Sequence, residues 1–432
     1  MAISIGIVIG VGIFRVPAEV AKLLPGSGPL ILLAWFVGGL ISLAGALCYA
    51  ELSAMFPDTG GDYAFLRRGY GKQIAFLFAW TELLIMRTGS IAAISYLFAD
   101  YACGLLSLDK AMSKLLAVAV IIFLGALNFM GLRFGKNVQN VLSLTKVAAI
   151  VLLIVCALTS GHGEISRLTT LPHEEPTLSL LSAFVLALIP VLWTYGGWQE
   201  CVFVAGETKD AGRTLPFALT GVVLVVSSLY ILLNALFLYL MPLDKLATST
   251  LIAADVMKLL YGGGLSSTIL EVLIVIYAIG TINAMIITGS RITYAMAQDV
   301  PLFKILAAER PDATTPIRAL VVNVVGACIF VLLGSFDRLL FFTGIVVWLF
   351  FALVVASLFI FRARFAKIDR PFVVPFYPLL PAVFVLVCLG LCLNTLFTYP
   401  EQSLFGLALV ATGVPVFHLS QYLVHKGIIK EE

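Results

Sequence analysis

Apolar runs long enough to cross a bilayer recur along almost the whole chain, and they restrict it to an all-α membrane protein. A helix needs about 20 apolar residues to span the hydrocarbon core. On that length twelve transmembrane helices are expected, over residues 2–24, 29–56, 73–101, 113–130, 139–160, 178–205, 216–240, 266–296, 317–335, 338–361, 378–397 and 403–424. Composition agrees. Of the 432 residues, 61% are hydrophobic and 12% charged, whereas a soluble domain carries about a quarter charged residues. The ten-residue alternation that marks a membrane β-barrel is missing from the sequence.

Two stretches between the runs read differently. Residues 250–260 are apolar but short and hold Asp255 and Lys258, which suits an amphipathic helix over a bundle end. Residues 60–72 carry Tyr63, Phe65, Arg67, Arg68 and Tyr70, which suits an interfacial helix. Twelve crossings put both termini on one side. Most loop Lys and Arg fall on that side; only Lys110, Lys114, Arg167, Lys245, Lys258 and Arg338 fall on the other. The positive-inside rule makes the termini cytoplasmic. The first run lacks the basic start and small-residue cleavage site of a signal peptide. All seven cysteines lie in apolar runs or at their ends, so neither a disulfide framework nor a Cys/His metal site is expected, and no cofactor.

Glycine interrupts two of the runs near their middles. The first contains Gly10-Val11-Gly12 and the sixth Tyr195-Gly196-Gly197-Trp198. A broken helix in lipid is tolerated only where the break faces protein, water or a ligand. Matching breaks in two halves point to a transporter substrate site. They imply halves of opposite orientation, because five is odd: 1–160 holds runs 1–5, 178–361 holds runs 6–10, 378–424 adds two more, and 425–432 is a tail. At the first break, helix-opening N–H groups suit a carboxylate, and glycine lets a ligand approach the backbone. At the second, carbonyls near Trp193 and Thr194 suit an ammonium group. Together they match the zwitterionic head of an α-amino acid. Packing glycines are the alternative for either break alone.

Lys146 lies inside the fifth run, where a charge costs roughly 3 kcal/mol on insertion scales. It either snorkels or acts as a cation near the first break, where a sodium ion would otherwise sit. Glu82, Arg87, Glu200 and Glu271 are also embedded. They read as structural rather than substrate-contacting, with Arg87 and Glu82 paired. Glu19 and Glu51 read as helix-end or satisfied interior groups. Trp193 and Trp348 sit near the centre, as packing residues or, beside a break, as a cap over a substrate. No nucleophile–base pair, metal cluster or phosphate loop suggests an enzyme.

Several motifs resemble one family. They are IGVGIF at 9–14 with Pro17, GGLISLAGALCYAEL at 38–52, PDTGGDYAFLRRGYG at 57–71, MRTGS at 86–90, NFMGLRFGKNVQN at 128–140, WTYGGW at 193–198 with GET at 206–208 and TLPFA at 214–218, and SRITYAMAQD at 290–299. The chain resembles the amino acid–polyamine–organocation superfamily, nearest to the L-type amino acid transporters and their bacterial relatives, over residues 5 to about 365. The resemblance implies a LeuT-like 5+5 inverted repeat with discontinuous helices 1 and 6. It implies a substrate carboxylate held by the backbone of Gly10, Val11 and Gly12, and an amino group held by the carbonyls of Trp193, Thr194 and Gly196. It makes Trp193 a gate, Trp348 a pocket residue and Lys146 the support of sodium-independent transport. Val11 stands where relatives often have serine, which leaves the carboxylate backbone donors only. The loop Ser107 to Lys114 has no cysteine, so no disulfide-linked heavy subunit is expected. The expected protein is a sodium-independent amino acid transporter of a bacterial plasma membrane. It works by alternating access, exchanges neutral amino acids, and meets lipid but not nucleic acid. The rivals are a proton-coupled or cationic amino acid or polyamine transporter, and a non-transporting amino acid sensor.

Overall fold

The computed structural model describes residues 10–429 apart from 57–60, 131–147, 149, 171–176, 204–209, 263, 308–315 and 335. Every regular element among them is helical, and none is a strand. In chain order the main helices are α1 (Val16–Leu23), α2 (Gly28–Met55), α3 (Gly61–Tyr70), α4 (Lys72–Thr81), α5 (Arg87–Leu106), α6 (Ser113–Phe129), α7 (Ile150–Thr159) and α8 (Thr177–Tyr195). They continue with α9 (Glu200–Phe203), α10 (Ala211–Leu240), α11 (Ile252–Tyr261), α12 (Leu265–Asp299), α13 (Ile317–Leu333), α14 (Phe336–Arg364), α15 (Leu379–Thr398) and α16 (Pro400–His425). Eight helices among the described residues are long and apolar enough to cross a membrane, and α7, α13 and Leu180–Tyr195 of α8 are shorter apolar helices. Each overlaps one expected run. The remaining run, 2–24, contains the Gly10 break.

Local chemistry sets the helix ends. The Ser27 side chain accepts the Leu30 N–H at 3.2 Å and opens α2. α5 stops where Ser107 turns left-handed at φ 52°. α4 and α5 are one rod joined by a π-helical turn, Glu82–Met86, in which the Arg87 N–H bonds the Glu82 carbonyl. Helix packing relies on small residues, as it does in lipid. α2 packs along α10 and α8. A Cβ on Gly38 would collide with Val191 of α8, and one on Gly39 would lie 2.8 Å from Ser227 Oγ of α10.

Two interrun expectations fare differently. α11 is amphipathic as expected, with Ile252, Ala253, Val256 and Met257 buried while Lys258 and Tyr261 are exposed. α3 is more embedded than an interfacial helix. Asp62, Tyr63, Phe65 and Leu66 are buried, the Tyr63 hydroxyl donates to Asp299 at 2.7 Å, and Tyr70 donates to the Leu353 carbonyl. Aromatic and basic residues usually signal a membrane surface; here they tie α3 to α12 and α14.

Glu51, near the end of α2, is fully buried and satisfied. Arg362 of α14 donates to its two oxygens at 2.8 and 2.6 Å, and the Val374 N–H adds a third bond at 2.6 Å. Glu19 pairs with Lys22 at 2.8 Å. Both match the reading as satisfied interior groups.

Candidate substrate site

The second expected break is present, and at the first the chain is non-helical at Gly10, while the half of that run before Gly10 lies outside the described residues. Gly10 is extended (φ −83°, ψ 149°), and a 3-10 turn, Val11–Phe14, follows before α1 begins at Val16. The first N–H groups of such a turn have no acceptor of their own helix. That of Gly10 goes to the Tyr230 hydroxyl of α10 at 3.0 Å. Tyr230 is itself fixed in an aromatic set with Trp35 and Tyr195, with ring centroids 5.7 and 5.2 Å away. The side chain of Val11 lies outside the described residues.

The second break ends α8 at Tyr195. Residues 196–199 form a turn before α9 resumes at Glu200. Gly197 adopts φ +103°, where a side chain would be strained. The Gly196 N–H bonds the Trp193 carbonyl at 3.1 Å, so that carbonyl keeps only one further lone pair. The Thr194 hydroxyl donates to the Pro190 carbonyl at 2.8 Å. The last carbonyls of a helix otherwise lack intrahelical donors, and this end faces the first break.

The two breaks touch. A Cβ on Gly12 would lie 2.9 Å from the Trp193 ring and 3.2 Å from Thr194 Oγ1. Gly10, Gly12, Trp193, Thr194, Gly196 and Trp348 all line one cavity of about 130 Å³. Trp348 is buried and packs edge-on to Phe351, which stacks with Trp198. Of the residues singled out in the sequence, Lys146 lies outside the described ones. Glu271 is buried but does not line this cavity.

The embedded charges pair as expected, and three of them also line the cavity. Glu82, Arg87 and Glu200 line the same cavity as the breaks. Arg87 Nε donates to Glu82 at 3.1 Å, the expected pair, and its Nη1 to Glu200 at 2.8 Å. The π turn explains the first contact. In a regular α-helix residues five apart point in different directions; one i→i+5 turn stacks them. Gly289 of α12 leaves room for the aliphatic stem of Arg87, since a Cβ there would come within 2.6 Å of Arg87 Cγ.

Asp62 of α3 joins this wall and was not anticipated. It is 3% exposed and lines the cavity, and its Oδ1 is buried with no hydrogen-bond partner among the described residues. Burial pushes its carboxyl up to about 8 from the ordinary 3.8. The Tyr49 hydroxyl opposes the rise, Glu82 and Glu200 add to it, and Arg87 opposes it. The only sequence hint was an acid inside a glycine-flanked motif. Tyr230 was also missed, although a lone phenol in an apolar run needs a partner.

An apolar helical bundle enclosing a cavity where the Gly10 turn meets the interruption after α8 suits a membrane transport protein. A family model described as amino acid permease matches residues 1–414, so the chain belongs to the amino acid permease family of the amino acid–polyamine–organocation superfamily. It is a transporter of the membrane and not an enzyme. The chain is 28% identical over 429 residues to the mouse (Mus musculus) b(0,+)-type amino acid transporter 1, covering 98% of this chain and 86% of that protein. It is 27% identical over 420 residues to the serine/threonine exchanger SteT of Bacillus subtilis, covering 97% and 94%. It is 29% identical over 433 residues to the mouse large neutral amino acids transporter small subunit 2, covering 98% and 80%.

Proposed function

We propose that this protein exchanges neutral amino acids across a bacterial plasma membrane, without sodium, by alternating access. The observation that carries the reading is the contact of Gly12 with Trp193 and Thr194 on one cavity wall. Main-chain donors at the first break take the substrate carboxylate: Val11 and Gly12 directly, and Gly10 only where its N–H leaves the Tyr230 hydroxyl. Carbonyls of Trp193, Thr194 and Gly196 take the amino group. Donors and acceptors a few ångströms apart fit a zwitterion and little else. Trp193 closes over the bound head group, and Trp348 with Phe351 shapes the side-chain end. Lys146 stands in for a sodium ion. The bundle has twelve crossings, ten of them in two inverted halves, 1–160 and 178–361, and two more in 378–424, with both termini cytoplasmic, and it works without a disulfide-linked heavy subunit. The names of the relatives, a serine/threonine exchanger among them, support exchange of small neutral substrates.

A second reading is transport of cationic amino acids or polyamines, favoured by Asp62, Glu82 and Glu200 on the cavity wall. Proteoliposomes loaded with unlabelled substrate separate the two. Leucine, alanine, serine, arginine and putrescine are tested against labelled counterflow in sodium-free buffer. Competition by leucine, alanine or serine alone supports the first reading, and competition by arginine or putrescine the second. Binding with no flux under any gradient would leave an amino acid sensor. Gly12→Ala places a methyl against Trp193 and is expected to weaken substrate affinity about tenfold, or roughly 1.4 kcal/mol. Wild-type affinity would move the head-group site elsewhere.

A further inference from the structure

Two kinds of group line the cavity. One is main chain from the two breaks. The other is a set of three carboxyls, Asp62, Glu82 and Glu200, against one guanidinium, that of Arg87. Arg87 bonds both glutamates, while Oδ1 of Asp62 has no partner among the described residues despite being buried. Two independent features therefore single out Asp62: a surplus of negative charge around it, and an unpartnered oxygen on a cavity wall.

We propose that Asp62 is a proton-binding site whose occupancy is linked to substrate binding, so that a neutral amino acid entering the cavity takes up a proton at this carboxyl. The inference rests on the transporter reading above and adds a second ligand to the same cavity.

A proton suits the site better than a metal cation. Hard cations need about six oxygen ligands, and the glutamate oxygens nearest to hand already accept from Arg87, whose charge repels a second cation. A proton needs one oxygen. The charged and titratable groups facing Asp62 are Tyr49 of α2, Glu82 of the π turn, Arg87 of α5 and Glu200 of α9. α14 also packs on α3, but its basic residues turn elsewhere: Arg362 to Glu51, and Arg364 to the Gly69 carbonyl. The direction of linkage follows from solvation. A substrate with an uncharged side chain replaces water in the cavity, and lost hydration disfavours the ionised carboxylate further. Binding and protonation then reinforce each other by the same factor. As pH rises and Asp62 ionises in the empty cavity, substrate affinity falls.

Calorimetric titration of the purified wild-type protein with L-leucine, L-alanine and L-serine tests this without a variant. At mildly alkaline pH the apparent heat of binding is expected to differ between two buffers of different ionisation enthalpy, by an amount that gives a net proton uptake. Asp62→Asn is expected to lose that difference. Should Asp62→Asn not fold, Glu82→Gln supplies the second arm. Removing a negative neighbour lowers the pH at which affinity falls. Binding heats that are equal in both buffers, a buffer difference that survives in Asp62→Asn, or an unmoved pH midpoint in Glu82→Gln would each overturn the proton site while leaving the transporter reading intact. No binding heat and no counterflow with any amino acid tested would instead remove the transporter reading, and the proton site with it.

Discussion

Two buried charge networks in this protein use the same chemistry to opposite ends. At the end of α2, Glu51 receives two hydrogen bonds from Arg362 and one from the Val374 N–H. Arg370 stands 3.8 Å away as further positive charge. Every oxygen is matched, and the network joins α2 to α14 away from the cavity. In the cavity wall, a single arginine serves two glutamates, and an aspartate beside them has an oxygen with no partner. A matched network fixes a structure. An unmatched one on a cavity wall leaves a charge whose state depends on what fills the cavity.

The contrast is sharpest when each arginine is removed. Arg87→Met strands two buried carboxylates. Breaking a buried pair costs about 3 to 5 kcal/mol, so thermal unfolding should fall well below wild type and counterflow should drop to background. Restoring charge balance with Glu82→Gln and Glu200→Gln should recover folding but not the wild-type pH profile. Arg362→Met is expected to destabilise to a similar or smaller extent, because the Val374 N–H and Arg370 remain near Glu51. The protein that survives should bind substrate with unchanged affinity. A changed affinity would show that the two networks communicate.

A smaller effect separates them by pH. Asp62 is raised in the folded state from 3.8 to about 8. Folding therefore holds a proton that the unfolded chain gives up, and stability declines as pH rises from the ordinary carboxylate range to about 8, then levels. Asp62→Asn should match wild type in acid and exceed it in melting temperature near neutrality, with the gap widening as pH approaches 8. A constant gap would mean that Asp62 is already ionised in the fold. The smallest effect belongs to a neutral contact. Tyr230→Phe removes the acceptor of the Gly10 N–H and should cost about 0.5 to 1.5 kcal/mol, read as a two- to tenfold loss in substrate affinity with little change in its pH dependence.

Much of this arrangement was legible in the residues. The glycines at 196 and 197 announced the interruption after α8, where Gly197 takes a φ of +103°, and those at 10 and 12 marked the turn that meets it. Trp193 and Trp348 could be placed by their distance along apolar runs. The acidic lining of the cavity was not legible, for two physical reasons. The Glu82–Arg87 pair was expected, but a regular helix points residues five apart in different directions, and the π turn together with the return of the chain at α9 is what brings Glu82, Arg87 and Glu200 to one place. Asp62 sits among arginines and tyrosines that look like a membrane surface, whereas α3 is drawn inward by Asp299 and the Leu353 carbonyl. Tyr230 was hidden because its one polar atom serves a residue 220 positions away.

The extra residue wound into the rod between Lys72 and Leu106 also sets its tolerance to length change. Each α-helical residue turns the chain by about 100°. Deleting one residue within 83–86 would let the rod close up into ordinary winding, and because the π turn already spreads the rotation of one extra residue over its length, the flanking helices would keep nearly their present phase. Glu82 and the guanidinium would then be four residues apart on one face of the rod, with Glu200 still supplied by α9. A single-residue gap at this place would therefore spare the charged wall, whereas the same gap in the regular winding of Lys72–Thr81 would turn everything beyond it by about 100°.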